Sequence, residues 1–170
     1  MEYNCEGKNK VGELLINCED KKFIVFYEKK LLAITLDKAF IKTTKKELKN
    51  KFKSEGSTFF DRIGKVDDYW EDFGERFLYM IPQEIIEEFQ KTVEIEYVDI
   101  KKYFIRPFKK DGTITEGSTE DKLGDIEVKS TERGKKISFE HRYAADEVTY
   151  EKMISYFEEK AINAKGFADK

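Results

Sequence analysis

Apolar residues fall along the chain in two rhythms. Residues 11–17 and 23–27 are dense in β-branched and aromatic side chains, and a third run covers 31–36; polar breaks at Glu19-Asp20-Lys21 and Glu28-Lys29-Lys30 separate them. This predicts a three-stranded meander. Thr44 and Glu47 then have capping-box spacing, which predicts a helix over residues 45–53 with Leu48 and Phe52 inward and Lys45, Lys46, Lys49 and Lys53 outward. After a polar loop at 54–58 the spacing predicts a second helix over 61–73. Val66, Tyr69, Trp70, Phe73 and Phe77 share one side of it, and Asp68, Glu71, Asp72 and Glu75 line another at i, i+3, i+4 and i+7. Gly74 is expected to stop this helix, residues 76–81 to run extended, and Pro82 to open a third helix reaching about Lys91, with Ile85, Ile86 and Phe89 buried.

Residues 93–98 alternate apolar and polar with a period of two, and 102–108 are rich in aromatics around Pro107. Asp111-Gly112 is a turn signal, and 113–122 read as a polar loop. Residues 125–131 and 135–140 flank Glu132-Arg133-Gly134, the pattern of a hairpin. Tyr150, Met153, Ile154, Phe157 and Ala161 recur at helical spacing and predict a closing amphipathic helix, with a frayed tail over 164–170.

The 170 residues suit one α+β domain over 1–163, with 44–91 as a helical insertion. Val, Ile, Leu and Phe supply 45 of them, enough for a folded core. The chain has no apolar stretch long enough for a membrane span and no secretion signal at its start, so a soluble, cytoplasmic protein is expected. Cys5 and Cys18 are too few for a disulfide scaffold and are expected to be reduced.

IEYVDIKKYFI (95–105), DIEVKSTERGKKISF (125–139) and VTYEKMISYFEEK (148–160) are strands followed by one amphipathic helix. In that order the chain resembles the pleckstrin-homology-like (PH-like) folds of bacteria. The resemblance implies a bent antiparallel sheet of about seven strands closed by a C-terminal helix. It also implies a scaffold that binds lipid headgroups, peptides or proteins without performing chemistry.

Net charge is −3, so binding to nucleic acid or an anionic membrane would need a local patch. The charge is striped. Residues 1–53 carry 13 lysines against eight acids, and 54–100 carry four bases against 13 acids. Only five of the 32 bases are Arg, the residue suited to bidentate phosphate recognition. Gly64-Lys65 lacks the earlier Gly of a phosphate loop, since Phe59 stands there. His141 is the only histidine, which excludes multi-histidine zinc sites, and it reads as a strand-end residue. No catalytic set, metal site or cofactor is expected.

The leading expectation is therefore a non-catalytic binding module. It would engage another macromolecule, a protein first of all, through Asp68, Tyr69, Trp70, Glu71, Asp72 and Glu75. Lys45, Lys46, Lys49 and Lys53 are secondary candidates for phosphate of nucleic acid or lipid headgroups. Two alternatives stand beside it: a small inhibitor or regulator whose acidic segment mimics nucleic acid, and a hydrolase or transferase using unpaired carboxylates.

Overall fold

The computed structural model describes residues 7–110 and 121–168. Strands β1 (Leu14–Cys18), β2 (Lys22–Phe26) and β3 (Lys30–Thr35) form the antiparallel meander. The chain then leaves through α1 (Lys38–Ser54), α2 (Phe59–Glu75), a 3-10 turn (Arg76–Tyr79) and α3 (Pro82–Glu88). It returns as β4 (Thr92–Glu96), which pairs antiparallel with β3. The three helices thus interrupt a connection between neighbouring strands. A further 3-10 turn, Tyr97–Asp99, starts another sheet from β5 (Ile100–Arg106), β6 (Gly124–Ser130) and β7 (Lys136–His141). Helix α4 (Val148–Lys160) follows, and β8 (Lys165–Ala168) adds to β5 in parallel.

The α+β class is as expected, but the strands make two four-stranded sheets, ordered β1-β2-β3-β4 and β7-β6-β5-β8, rather than one bent sheet of about seven. The break lies at residues 97–99, where Tyr97 is buried and its hydroxyl donates to the Tyr27 carbonyl at 2.8 Å. That anchor turns the chain out of the first sheet, where the alternation ends in the adjacent apolar pair Tyr97-Val98.

The first sheet is covered on both faces, which is why β2 and β3 read as near-continuous apolar runs. Ile24, Phe26, Leu31 and Ala33 face the second sheet and α4, joining Ile105, Ile126, Val128, Met153 and Phe157. Phe23, Val25, Leu32 and Ile34 face the helical layer, where Val66, Trp70, Phe73, Phe77 and Ile85 meet them. In α4, Tyr150, Met153, Ile154 and Phe157 are all buried, as their spacing requires. Phe157 fits between Phe26 and Tyr103, with ring centroids 5.6 and 4.9 Å away.

Several boundaries differ from expectation for local reasons. Helix α1 begins at Lys38 because the Asp37 carboxylate accepts from the Ala39 N–H at 2.8 Å. Thr44 is then a buried residue within the helix, not its cap. The reciprocal capping box belongs to α2, where Thr58 accepts from the Asp61 N–H and Asp61 accepts from the Thr58 N–H. Gly74 does not stop α2 but lies inside it, and residues 76–79 form a 3-10 turn where an extended segment was expected. Pro82 opens α3 as expected, and the helix ends at Glu88. The hairpin between β6 and β7 has Gly134 at φ +87°, the left-handed region that favours glycine. Residues 165–168 are strand β8 rather than a frayed tail, with the Phe167 ring stacked 5.5 Å from Phe104. The Asp111-Gly112 turn and most of the 113–122 loop lie outside the described residues.

Candidate functional site

Helix α2 is a ridge between two clefts, and its register decides which side chain serves which. Its aromatic side is folded inward. Trp70 is 2% exposed and packs edge-on against Tyr69 and Phe73, at 5.3 and 5.4 Å, and against Phe40 of α1 at 6.3 Å. Trp70 is therefore a core residue and leaves the set of expected contact residues. Tyr69 is half-buried, and burial pushes its hydroxyl pKa up. Asp68, Glu71, Asp72 and Glu75 are exposed, as expected.

The first cleft, about 580 Å³, opens between α1 and α2. On the α2 side Asp68, Tyr69 and Asp72 alternate with Lys65 and Arg76, and Glu47, Lys51 and Phe52 belong to the α1 side. The second, about 530 Å³, lies between α2, the end of β1 and the segment after β7. It brings Glu71 and Asp67 of α2 together with Glu19, Lys21 and Arg142. Asp20 and Lys21 hold positive φ values, 59° and 55°, in the tight turn after β1, and that turn places the Lys21 ammonium 5.7 Å over the Trp70 ring. Lys21 also approaches Asp67 at 4.0 Å. Burial lowers its pKa more than the Asp67 charge raises it. Arg142 pairs with Glu19 at 2.8 Å, and the Tyr143 hydroxyl accepts from the Asn17 N–H at 3.3 Å, closing the corner where β1 meets β7.

Opposite charges run side by side along the two helices. Helix α1 carries seven lysines and one acid, while α2 carries six acids and two bases. Lys45, Lys46, Lys49 and Lys53 are exposed along α1. Yet among the described residues no ion pair joins them to α2, and Asp68, Glu71, Asp72 and Glu75 have no ion-pair partner. The helices meet through Phe40, Trp70 and Phe73.

His141 is fully buried and has a structural task. Its Nδ1 accepts from the Tyr143 N–H at 3.0 Å, which fixes the tautomer so that Nε2 donates to the Arg106 carbonyl, also at 3.0 Å. Burial lowers its pKa. Cys18 is a free thiol whose pKa burial pushes up. Among the described residues no three of His, Cys, Asp and Glu converge as a metal site would require, and no helix is long and apolar enough to cross a membrane.

Sequence reasoning found the acidic row but not the clefts beside it. Glu19 and Arg142 meet across 123 positions, and no local pattern signals that contact. Asp67 adjoins the acidic row but lies outside the i, i+3, i+4, i+7 set, and the structure brings it to the Lys21 side. No protein-family model, curated protein or solved structure matches this chain.

Proposed function

We propose that the chain is a cytoplasmic binding module that engages a basic partner protein through Asp68, Glu71, Asp72 and Glu75 of α2, with Tyr69 at the edge of the contact. The observation that carries this reading is the set of four exposed carboxylates that, among the described residues, have no ion-pair partner, beside a lysine-rich helix that could have neutralised them. They span about 10 Å of helix, enough to meet several Lys or Arg side chains at once. Grooves on both sides of the ridge give a partner's side chains depth to enter.

The lysines of α1 argue against imitation of nucleic acid, because a groove shaped for phosphates would meet them beside the ridge. We keep the PH-like resemblance as part of the proposal. What supports it is the element order: seven strands, antiparallel to their sequence neighbours within each of the two sheets and interrupted once by helices, then an amphipathic helix against both sheets.

The test is affinity capture with quantitative mass spectrometry, comparing wild type, Asp68→Asn/Glu71→Gln/Asp72→Asn and the remote control Glu127→Gln/Glu140→Gln/Glu159→Gln. A basic protein held by wild type and control but lost by the ridge variant supports the proposal. The same retained proteins in all three contradict it.

A further inference from the structure

The turn joining α1 and α2 is the tip of a helical hairpin, and no residue from 53 to 65 is buried. The tip stands clear of both cores. At it, Phe59 and Phe60 are 64% and 81% exposed, in edge-to-face contact at 5.7 Å, and Ile63 is 45% exposed. Isolated exposed apolar residues are routine, but two touching aromatics with an isoleucine one turn away form a patch. The Thr58–Asp61 capping box fixes the first turn of α2, so the rings are presented from an ordered helix start.

Cations share this tip. Lys49, Lys51 and Lys53 occupy the end of α1, and Arg62 and Lys65 the start of α2. The Arg62 guanidinium lies 6.0 Å from the Phe59 ring and donates to the Ser57 carbonyl at 3.0 Å; Lys65 donates to the Ser57 hydroxyl at 2.8 Å. Residues 49–65 hold five bases against two acids, and one of those acids, Asp61, is occupied in the cap. Towards the other end of the hairpin, residues 38–48 and 66–75 hold four lysines against six acids. The hairpin is thus polarised along its length. Asp67 lies about 10 Å along the helix from Phe60, roughly one screening length at physiological salt.

We propose that this tip docks the protein reversibly on an anionic lipid surface. Phe59, Phe60 and Ile63 enter the boundary between headgroups and acyl chains, while Lys49, Lys53, Arg62 and Lys65 meet lipid phosphate and carboxylate groups. Charge complementarity names the occupant: aromatic and aliphatic side chains sharing one tip with Lys and Arg are the composition of interfacial anchors. Single-stranded nucleic acid fits less well, because it needs a groove that tracks its backbone, whereas this tip is a protruding turn without a buried residue and its two rings pack against each other. In this pose the acidic ridge points away from the membrane and stays open to a protein.

The test is co-sedimentation of the full chain with vesicles of phosphatidylcholine alone and of phosphatidylcholine with about one-third phosphatidylserine. Wild type is expected to bind the anionic vesicles, to release as salt rises, and to ignore the neutral ones. Phe59→Ser/Phe60→Ser and Lys49→Glu/Lys53→Glu are each expected to cut the bound fraction about tenfold, with an unchanged melting temperature. Asp68→Asn/Asp72→Asn should bind vesicles at least as well as wild type, which separates this inference from the ridge proposal. Three results would overturn it: no binding to anionic vesicles at low salt, a phenylalanine variant that binds like wild type, or a dimer in light scattering that the same variant dissolves without any vesicle binding.

Discussion

Asn17 of β1 and Gly74 of α2 approach so closely that a methyl group on Gly74 would stand 2.8 Å from the Asn17 amide oxygen, and 2.7 Å from the Phe23 ring. The glycine lets α2 lie directly on the first two strands, and that seating sets the floor of the cleft containing Glu71. Gly74→Ala is expected to force the helix away and destabilise the protein by about 1–3 kcal/mol, read from urea unfolding. A variant as stable as wild type would show that the contact relaxes freely.

Trp70 and its acidic neighbours should separate cleanly in stability measurements. Trp70→Ala removes a buried ring and is expected to cost about 3–5 kcal/mol. Asp68→Asn/Glu71→Gln/Asp72→Asn touches exposed, unpaired groups and should stay within about 0.5 kcal/mol of wild type. A well-folded Trp70→Ala protein would mean that the helical layer is not sealed by this ring.

How much of this was legible in the sequence depends on the range of the interaction. The meander and α4 were readable because β-branched density and helical spacing are local. The start of α1 was not, because Thr44–Glu47 imitates a cap while the effective one is Asp37, seven positions earlier. The acidic row of α2 was found by periodicity. The burial of Trp70 follows from the same periodicity, but its sealing depends on Lys21, which reaches it from a turn some fifty residues away. Tyr97 ends the first sheet through its bond to the Tyr27 carbonyl, seventy positions away, which no local pattern signals.

His141 gives the protein a defined acid sensitivity. Burial depresses its pKa in the folded state below the ordinary value of 6.5, so the unfolded chain takes up a proton first as pH falls. This histidine's contribution is fully present above about pH 6.5 and is lost as pH falls from there towards the depressed folded value. Urea unfolding followed from pH 7.5 to about 5 should show stability declining, and His141→Gln should flatten that slope while lowering stability at neutral pH. An identical slope in the variant would assign the titration elsewhere.

Strand β8 should contribute measurably. Gly166 lies against the Tyr103 ring and Phe167 stacks on Phe104, so deleting residues 165–170 is expected to lower stability by about 1–2 kcal/mol. Amide exchange along β5 should quicken in the same variant. Unchanged exchange would return the segment to the status of a loose end.

Binding through the exposed carboxylates of α2 is tested most directly by fluorescence anisotropy with a labelled peptide of alternating Lys and Arg. Wild type and Glu127→Gln/Glu140→Gln/Glu159→Gln should bind the peptide alike, with affinity falling as salt rises. Asp68→Asn/Glu71→Gln/Asp72→Asn should bind at least about tenfold more weakly. Equal loss in the two triple variants would reduce the interaction to net charge, and no loss in the ridge variant would contradict the account.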